Sequence, residues 1–247
     1  MTRTLRIGLF SAAAVVLAIL LCWTAVDLPD FGNYRGPYGG LLNHVAPAER
    51  HVTEVVTATV FDYRGFDTLG EELILFTAVA GVVLLLEQGE RGERPEPSES
   101  IGSDAVRVLG ALAVGAAVLV GLWLTAFGYV TPGGGFQGGV AIASGIVLLW
   151  VATSLRVWGP FGSDSILDPL EGVGAGGYIV IGLAALASGL PFLTNLFGPG
   201  RYGTLQSGGS IPFLNWAAAL EVTAALLILF SKFLEEYVVP LAAGDER

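Results

Sequence analysis

The chain has 247 residues, 53% of them apolar and 14% charged, with a net charge of −10 and a mean hydropathy of +0.67. Soluble domains are about 25% charged, so this composition excludes an ordinary water-soluble fold and indicates an all-α integral membrane protein. The negative charge argues against nucleic acid as a partner. The single cysteine, Cys22, excludes an internal disulfide and any cysteine-ligated cluster or zinc site within the chain.

A membrane-spanning helix needs about 20 mainly apolar residues. In chain order the first such stretch runs from Ile7 to Val26 without a charge. Arg3 and Arg6 ahead of it imitate a secretory signal, but the apolar run is long and no small-residue cleavage site follows, so an uncleaved anchor is expected. Further spans are expected over Thr68–Leu86, Val108–Tyr129, Phe136–Leu155, Val173–Phe197 and Phe213–Phe233, making six transmembrane helices. Arginines and lysines near the span ends divide eight to four in favour of cytoplasmic termini.

Between the first two spans, Val52, Val55, Val56, Thr59 and Val60 fit helical spacing. They predict a helix at the membrane interface, ended by a turn at Arg64-Gly65. Thr68 and Glu71 fit a capping box for the second span. Glu87 to Ser103 is polar and contains proline and glycine, so a solvated linker over 89–103 is expected to divide a two-helix module (1–88) from a four-helix module (104–240). Thr131-Pro-Gly-Gly-Gly-Phe-Gln-Gly-Gly139 packs five glycines and a proline into nine residues and breaks the chain before the fourth span. Such a break is either a tight extramembrane turn or an ion-path element.

Two of these segments together are more specific than either alone. Asp62-Tyr-Arg-Gly-Phe-Asp-Thr-Leu-Gly-Glu71 resembles the signature near the C-terminus of the large, A-type component of Mrp-type multisubunit Na⁺/H⁺ antiporters. Pro132-Gly-Gly-Gly-Phe-Gln-Gly-Gly139, Leu170-Glu-Gly-Val-Gly174 and Leu214-Asn-Trp-Ala-Ala-Ala-Leu-Glu-Val222 resemble motifs of the B-type component, the MnhB family. The chain departs from that family in joining two modules usually found in separate polypeptides. It also has Gly128-Tyr129-Val130 where the family has a Gly-His-Asn-like sequence. The resemblance implies a membrane subunit of a monovalent cation/proton antiporter in the cytoplasmic membrane. It would carry no cofactor and would assemble with A- and D-like antiporter cores and C-, E-, F- and G-like small subunits. Related modules occur in membrane-bound hydrogenases and sulfur-reducing complexes, so a membrane-arm subunit of a redox-driven pump is the alternative.

The candidate ion-path residues are acidic. Glu221 stands alone in the middle of the last apolar run, where a charge costs about 2.5–3.5 kcal/mol on insertion scales, so it should face protein or water. Asp62, Asp67 and Glu71 suit a proton or a hard cation such as Na⁺, with no metal expected beyond transient Na⁺. Glu171 is expected to start the fifth span, near Asp164 and Asp168, where a solvated helix N-terminus explains it as well as transport does. Arg64 is expected to anchor at the headgroups or to hold Asp62, and Lys232 to snorkel to the interface. Pro132, Gly133, Gly134, Gly135, Gly138 and Gly139 form the structural break. No span carries the lysine-plus-glutamate pattern of a pumping core, so the chain is not expected to transport alone.

Overall fold

A computed structural model of the chain describes residues 3–26, 28, 36–86, 103–152 and 163–244, without the side chains of 3, 6, 150–152 and 234–244. The expected linker up to residue 102 and the C-terminal end of the expected fourth span lie outside the described residues. Among these residues the structure is helical, with one isolated β-bridge between Gly200 and Ser207.

The chain divides into two compact units, 1–41 and 42–247. The first holds α1 (Arg3–Val26), whose Ile7–Val26 stretch is long and apolar enough to cross a membrane. Helix α2 (Pro37–Arg50) runs across the boundary into the second unit. There it is followed by a one-turn α3 (Val55–Ala58), a π-helical turn (Thr59–Tyr63) and α4 (Gly65–Leu86). Then come α5 (Asp104–Phe127), α6 (Gly135–Ala152), α7 (Asp164–Ala187) and α8 (Ile211–Gly244). Among the described residues, five helices have the length and apolarity of spans, and a sixth, Gly135–Leu149 of α6, is a shorter apolar helix. The expected number of helices therefore stands.

Helix α8 is the core of the second unit. Two-thirds of its Ile211–Phe233 span is buried, against a third or less for the other candidate spans. It packs against α4, α5, α6 and α7, while α5 lies mainly on α6. Ala217, Ala218, Ala219, Ala224 and Ala225 are all nearly inaccessible, and small side chains of this kind let several helices crowd one axis. The small-residue stretches Gly174–Gly177 and Ala217–Ala219 are spent inside the chain, since a Cβ at Gly174 would lie 2.7 Å from that of Glu221 and one at Gly177 3.8 Å from that of Ala217.

The glycine-rich segment is a turn between α5 and α6, and its backbone groups are re-satisfied. Gly134 N–H donates to the Leu124 carbonyl at 3.0 Å. Asn215 of α8 clamps both sides: its carbonyl oxygen accepts from Gly135 N–H and its amide donates to the Thr125 carbonyl. From above, Thr57 Oγ1 donates to the Gly128 carbonyl at 2.7 Å, and Glu54 N–H to that of Tyr129. Tyr129 in turn donates its hydroxyl to the Leu205 carbonyl at 2.8 Å, and burial pushes its phenol pKa up. The 51–57 segment, the 128–134 turn and the 188–210 loop thus lie on one face of the helix bundle. Asn215→Leu should leave two buried backbone groups unpaired, at about 1–3 kcal/mol each, and the Tm of the purified assembly should fall accordingly. An unchanged Tm would show that the Asn215 hydrogen bonds do not hold the turn in place.

Three local expectations are corrected. The fifth span is Asp164–Ala187, not Val173–Phe197. Ser188 ends it, Gly189 takes a left-handed conformation (φ 77°), and Leu190 N–H and Gly189 N–H return to the Ala185 and Leu186 carbonyls, closing a Schellman motif before Pro191. Thr68 is not the cap of α4, because the helix starts at Gly65; the Thr68 hydroxyl instead donates to the Val60 carbonyl at 2.6 Å. Lys232 does not snorkel: it is 7% exposed and donates to Asp164 Oδ2 at 2.9 Å, joining α8 to the start of α7.

Candidate functional site

The acidic residues separate into two groups. Near the loop-covered face, Asp62 pairs with Arg50 Nε, and its side chain is 7% exposed. Arg50 also lies over the Tyr63 ring, 4.9 Å from its centroid, and Tyr63 donates to Glu49 at 2.6 Å. Arg64 pairs with Asp67, and both are largely exposed. Arg64 therefore does not hold Asp62. Glu71 lies on the exposed side of α4. Arg50→Gln should destabilise the fold by less than the about 3–5 kcal/mol of a fully buried broken pair, because the Arg50 side chain is 31% exposed. Asp62→Asn in the same chain should recover part of the loss, as read by assembly yield. No recovery would mean that Asp62 gains nothing from Arg50.

The second group lies inside the membrane segment. Glu221 is fully buried, ten residues into the Ile211–Phe233 span, or about 15 Å along the axis. Facing it is Glu72 of α4, also fully buried, and the two carboxyl groups interact with each other. Among the described residues, no oxygen of either finds a hydrogen-bond donor. Glu171 of α7 is 8% exposed, interacts with Glu221, and also leaves one buried oxygen without a partner. Because α7 begins at Asp164, Glu171 stands two turns inside the helix instead of at its start, which corrects its expected place.

Helix register brings the three together. On α4 the buried positions Gly65, Thr68, Leu69, Glu72 and Val79 recur at helical spacing, forming one stripe against α8 and α7. Gly174 lets α7 touch the backbone of Glu221 directly, a Cβ there falling 2.5 Å from the Glu221 nitrogen. Glu171 follows one turn further along α7. Antiparallel packing then continues to the Asp164–Lys232 pair, about 16 Å along α8 from Glu221 and about 10 Å along α7 from Glu171. Asp168, exposed, lies between these levels and interacts with Glu171. Among the described residues, no three His, Cys, Asp or Glu side chains are grouped closely enough to hold a metal ion.

Of the acids expected from the sequence, Glu221 and Glu171 come together, Asp62 and Asp67 lie elsewhere, and Glu71 lies beside the group but faces outward from α4. Glu72 was not among those expected. The signal for Glu72 is in the sequence: Gly65, Thr68 and Glu72 are small or polar residues at three- and four-residue spacing inside an apolar run.

Residues 105–228 match the family of domains related to the MnhB subunit of Na⁺/H⁺ antiporters. The chain is 30% identical over 213 residues to an uncharacterised protein of Methanocaldococcus jannaschii, covering 75% of this chain and 78% of that one. It is 28% identical over 191 residues to a probable K⁺/H⁺ antiporter A/B component of Rhizobium meliloti, covering 65% of this chain but 18% of that larger protein. Among solved structures, it resembles a chain of the membrane-bound sulfane sulfur reductase, an archaeal respiratory membrane complex. That match has a TM-score of 0.70 and 31% identity, and covers 93% and 98% of the two chains. It also shares its fold with a chain of the Mrp complex from Dietzia sp. DQ12-45-1b, at a TM-score of 0.69 and 21% identity, covering 96% of this chain and 26% of that one.

Proposed function

Because the chain belongs to the family of domains related to the MnhB subunit of the Na⁺/H⁺ antiporter, we propose that it is a membrane subunit of a multisubunit monovalent cation/proton antiporter. The observation that carries this reading is the pair Glu72–Glu221, two fully buried acids facing each other in the apolar layer with no donor to either among the described residues. Acids in such a place are expensive and are kept where ions or protons pass. Glu221, Glu72 and Glu171 form the inner part of the route. Asp62 and Asp67 stand nearer the loop-covered face, held by arginines, while Glu71, at the level of Glu72, faces outward to a neighbouring subunit or lipid.

The chain works with antiporter-like subunits in the cytoplasmic membrane and exchanges Na⁺ or another monovalent cation for protons as part of that assembly. A second reading is favoured by one observation, the nearly end-to-end match to a chain of a respiratory complex. In that case the same acids serve a membrane arm driven by redox chemistry in partner subunits. Gentle extraction of the intact assembly, identification of its subunits and cation-driven ΔpH dissipation in everted vesicles test both. Antiporter-type subunits alone with cation/proton exchange support the first reading. Co-purified redox subunits would replace it with the second, and recovery as a stable lone monomer would overturn both.

A further inference from the structure

Glu72 and Glu221 meet across the α4–α8 contact, and among the described residues no basic side chain pairs with either. Both are 0% exposed, and all four carboxyl oxygens lack a hydrogen-bond partner. Tyr178, whose phenol interacts with Glu72, already donates its hydroxyl to the Gly65 carbonyl at 2.9 Å. The Thr223 hydroxyl is spent on the Ala219 carbonyl at 2.6 Å, and the Asn215 amide on the Thr125 carbonyl. Lys232 is about 16 Å away along the helix and pairs with Asp164. The remaining groups that act on the pair, Glu71 and Glu171, are acids as well.

Two carboxylates are acceptors only, so they cannot hydrogen-bond to each other while both are ionised. Two neutral acids could pair through O–H···O=C bonds, but they would leave no carboxylate to accept a proton in exchange. One proton between them gives an acid donating to a carboxylate, a charge-assisted O–H···O⁻ bond, the strong kind in a dry surrounding.

We propose that Glu72 and Glu221 hold a single shared proton and that this pair is the proton-exchanging element of the chain, with Glu171 as the next acceptor. The proposal rests on the reading of the chain as an ion-path subunit. In the exchange, the O–H bond within the pair breaks and one forms on the Glu171 carboxylate, leaving the pair with two negative charges. That state is costly in an apolar layer. The proton therefore leaves only as another proton arrives or as a monovalent cation takes its place, which couples the two ions.

Infrared spectroscopy of the intact assembly in lipid, in H₂O and D₂O, tests the shared proton. The deuterium-sensitive carbonyl band of buried carboxylic acids should be larger in the unsubstituted assembly than in Glu72→Gln/Glu221→Gln by one acid equivalent. Each single Gln variant should match the double variant, because the Gln amide can donate to the remaining carboxylate and let it stay ionised. A difference of two equivalents, of none, or a band that survives in either single variant overturns the proposal. Should the Gln variants fail to assemble, Glu221→Asp keeps the carboxyl but draws it back by a methylene and should shift the band; an unshifted band also overturns it. The spectrum reads protonation alone. An absent shared proton with intact cation/proton exchange thus rejects the pair and leaves the antiporter reading standing.

Discussion

Gly138→Val should abolish recovery of the assembled protein. The residue lies on the first turns of α6, where α6 crosses α5 with no room for a side chain. A Cβ at this position would lie 2.7 Å from the Gly121 carbonyl oxygen and 3.0 Å from the Thr125 nitrogen, and would collide with the Thr125 hydroxyl. Two of these obstacles are backbone, which cannot swing away as a side-chain tip does. Overpacking costs about 1–3 kcal/mol where neighbours can adjust, and here the cost should exceed that range. The neighbouring turn adds to the effect, because Gly135 and Gly139 approach α8 just as closely, a Cβ at Gly139 falling 2.9 Å from the Ala219 carbonyl oxygen. Gly115→Ala is the control, since a Cβ there meets nothing within 4 Å. Yield and Tm of the detergent-extracted assembly are the measurements. Wild-type recovery of Gly138→Val would show that α5 and α6 do not cross at this distance.

Glu221→Gln should leave the assembly intact and lower cation/proton exchange by about 100-fold, the low end of what a positioned proton-transfer group contributes. Gln keeps the shape and can hydrogen-bond to Glu72, yet it cannot give up a proton or balance a cation. A purely packing role for Glu221 makes the opposite forecast: near-normal exchange in Gln, and defects only in Ala or Leu. Ala should be as inactive as Gln if the residue carries ions, whereas Asp should retain part of the activity. Exchange is read as cation-driven ΔpH dissipation in everted vesicles, from neutral to alkaline pH, with protein levels checked alongside. Wild-type exchange by Glu221→Gln at every pH would sink the claim.

The helices were legible in the sequence because lipid demands long apolar runs, and Glu221 was legible because a lone charge inside such a run has few explanations. Glu72 was hidden by its neighbour. Two adjacent glutamates face different sides of a helix, and Glu71 attracted the capping reading because it lies three residues after Thr68. The end of α7 was obscured by Leu190, Phe192 and Leu193, apolar residues that continue the hydropathy after Gly189 has turned the backbone; Phe192 instead packs against the core. The Arg50–Asp62 and Lys232–Asp164 pairs join residues 12 and 68 positions apart. Their partners depend on which helices become neighbours, and hydropathy carries no information about that. The glycine turn could be read as a break from its composition, but the Asn215 clamp that keeps it satisfied comes from a helix 80 residues later.

Asn215 and Glu221 lie on the same helix six residues apart, about 9 Å along its axis. With Asn215 fastened to the ends of both α5 and α6, that stretch of helix works as a ruler, fixing how far below the glycine turn the acid is suspended and in which direction it points. One residue inserted anywhere between the two would lower Glu221 by about 1.5 Å and swing it by about 100° around the axis. The carboxyl group would turn away from α4, with its chemistry unchanged and its counterpart gone. Length along this segment is thus as much a part of the site as the acid itself.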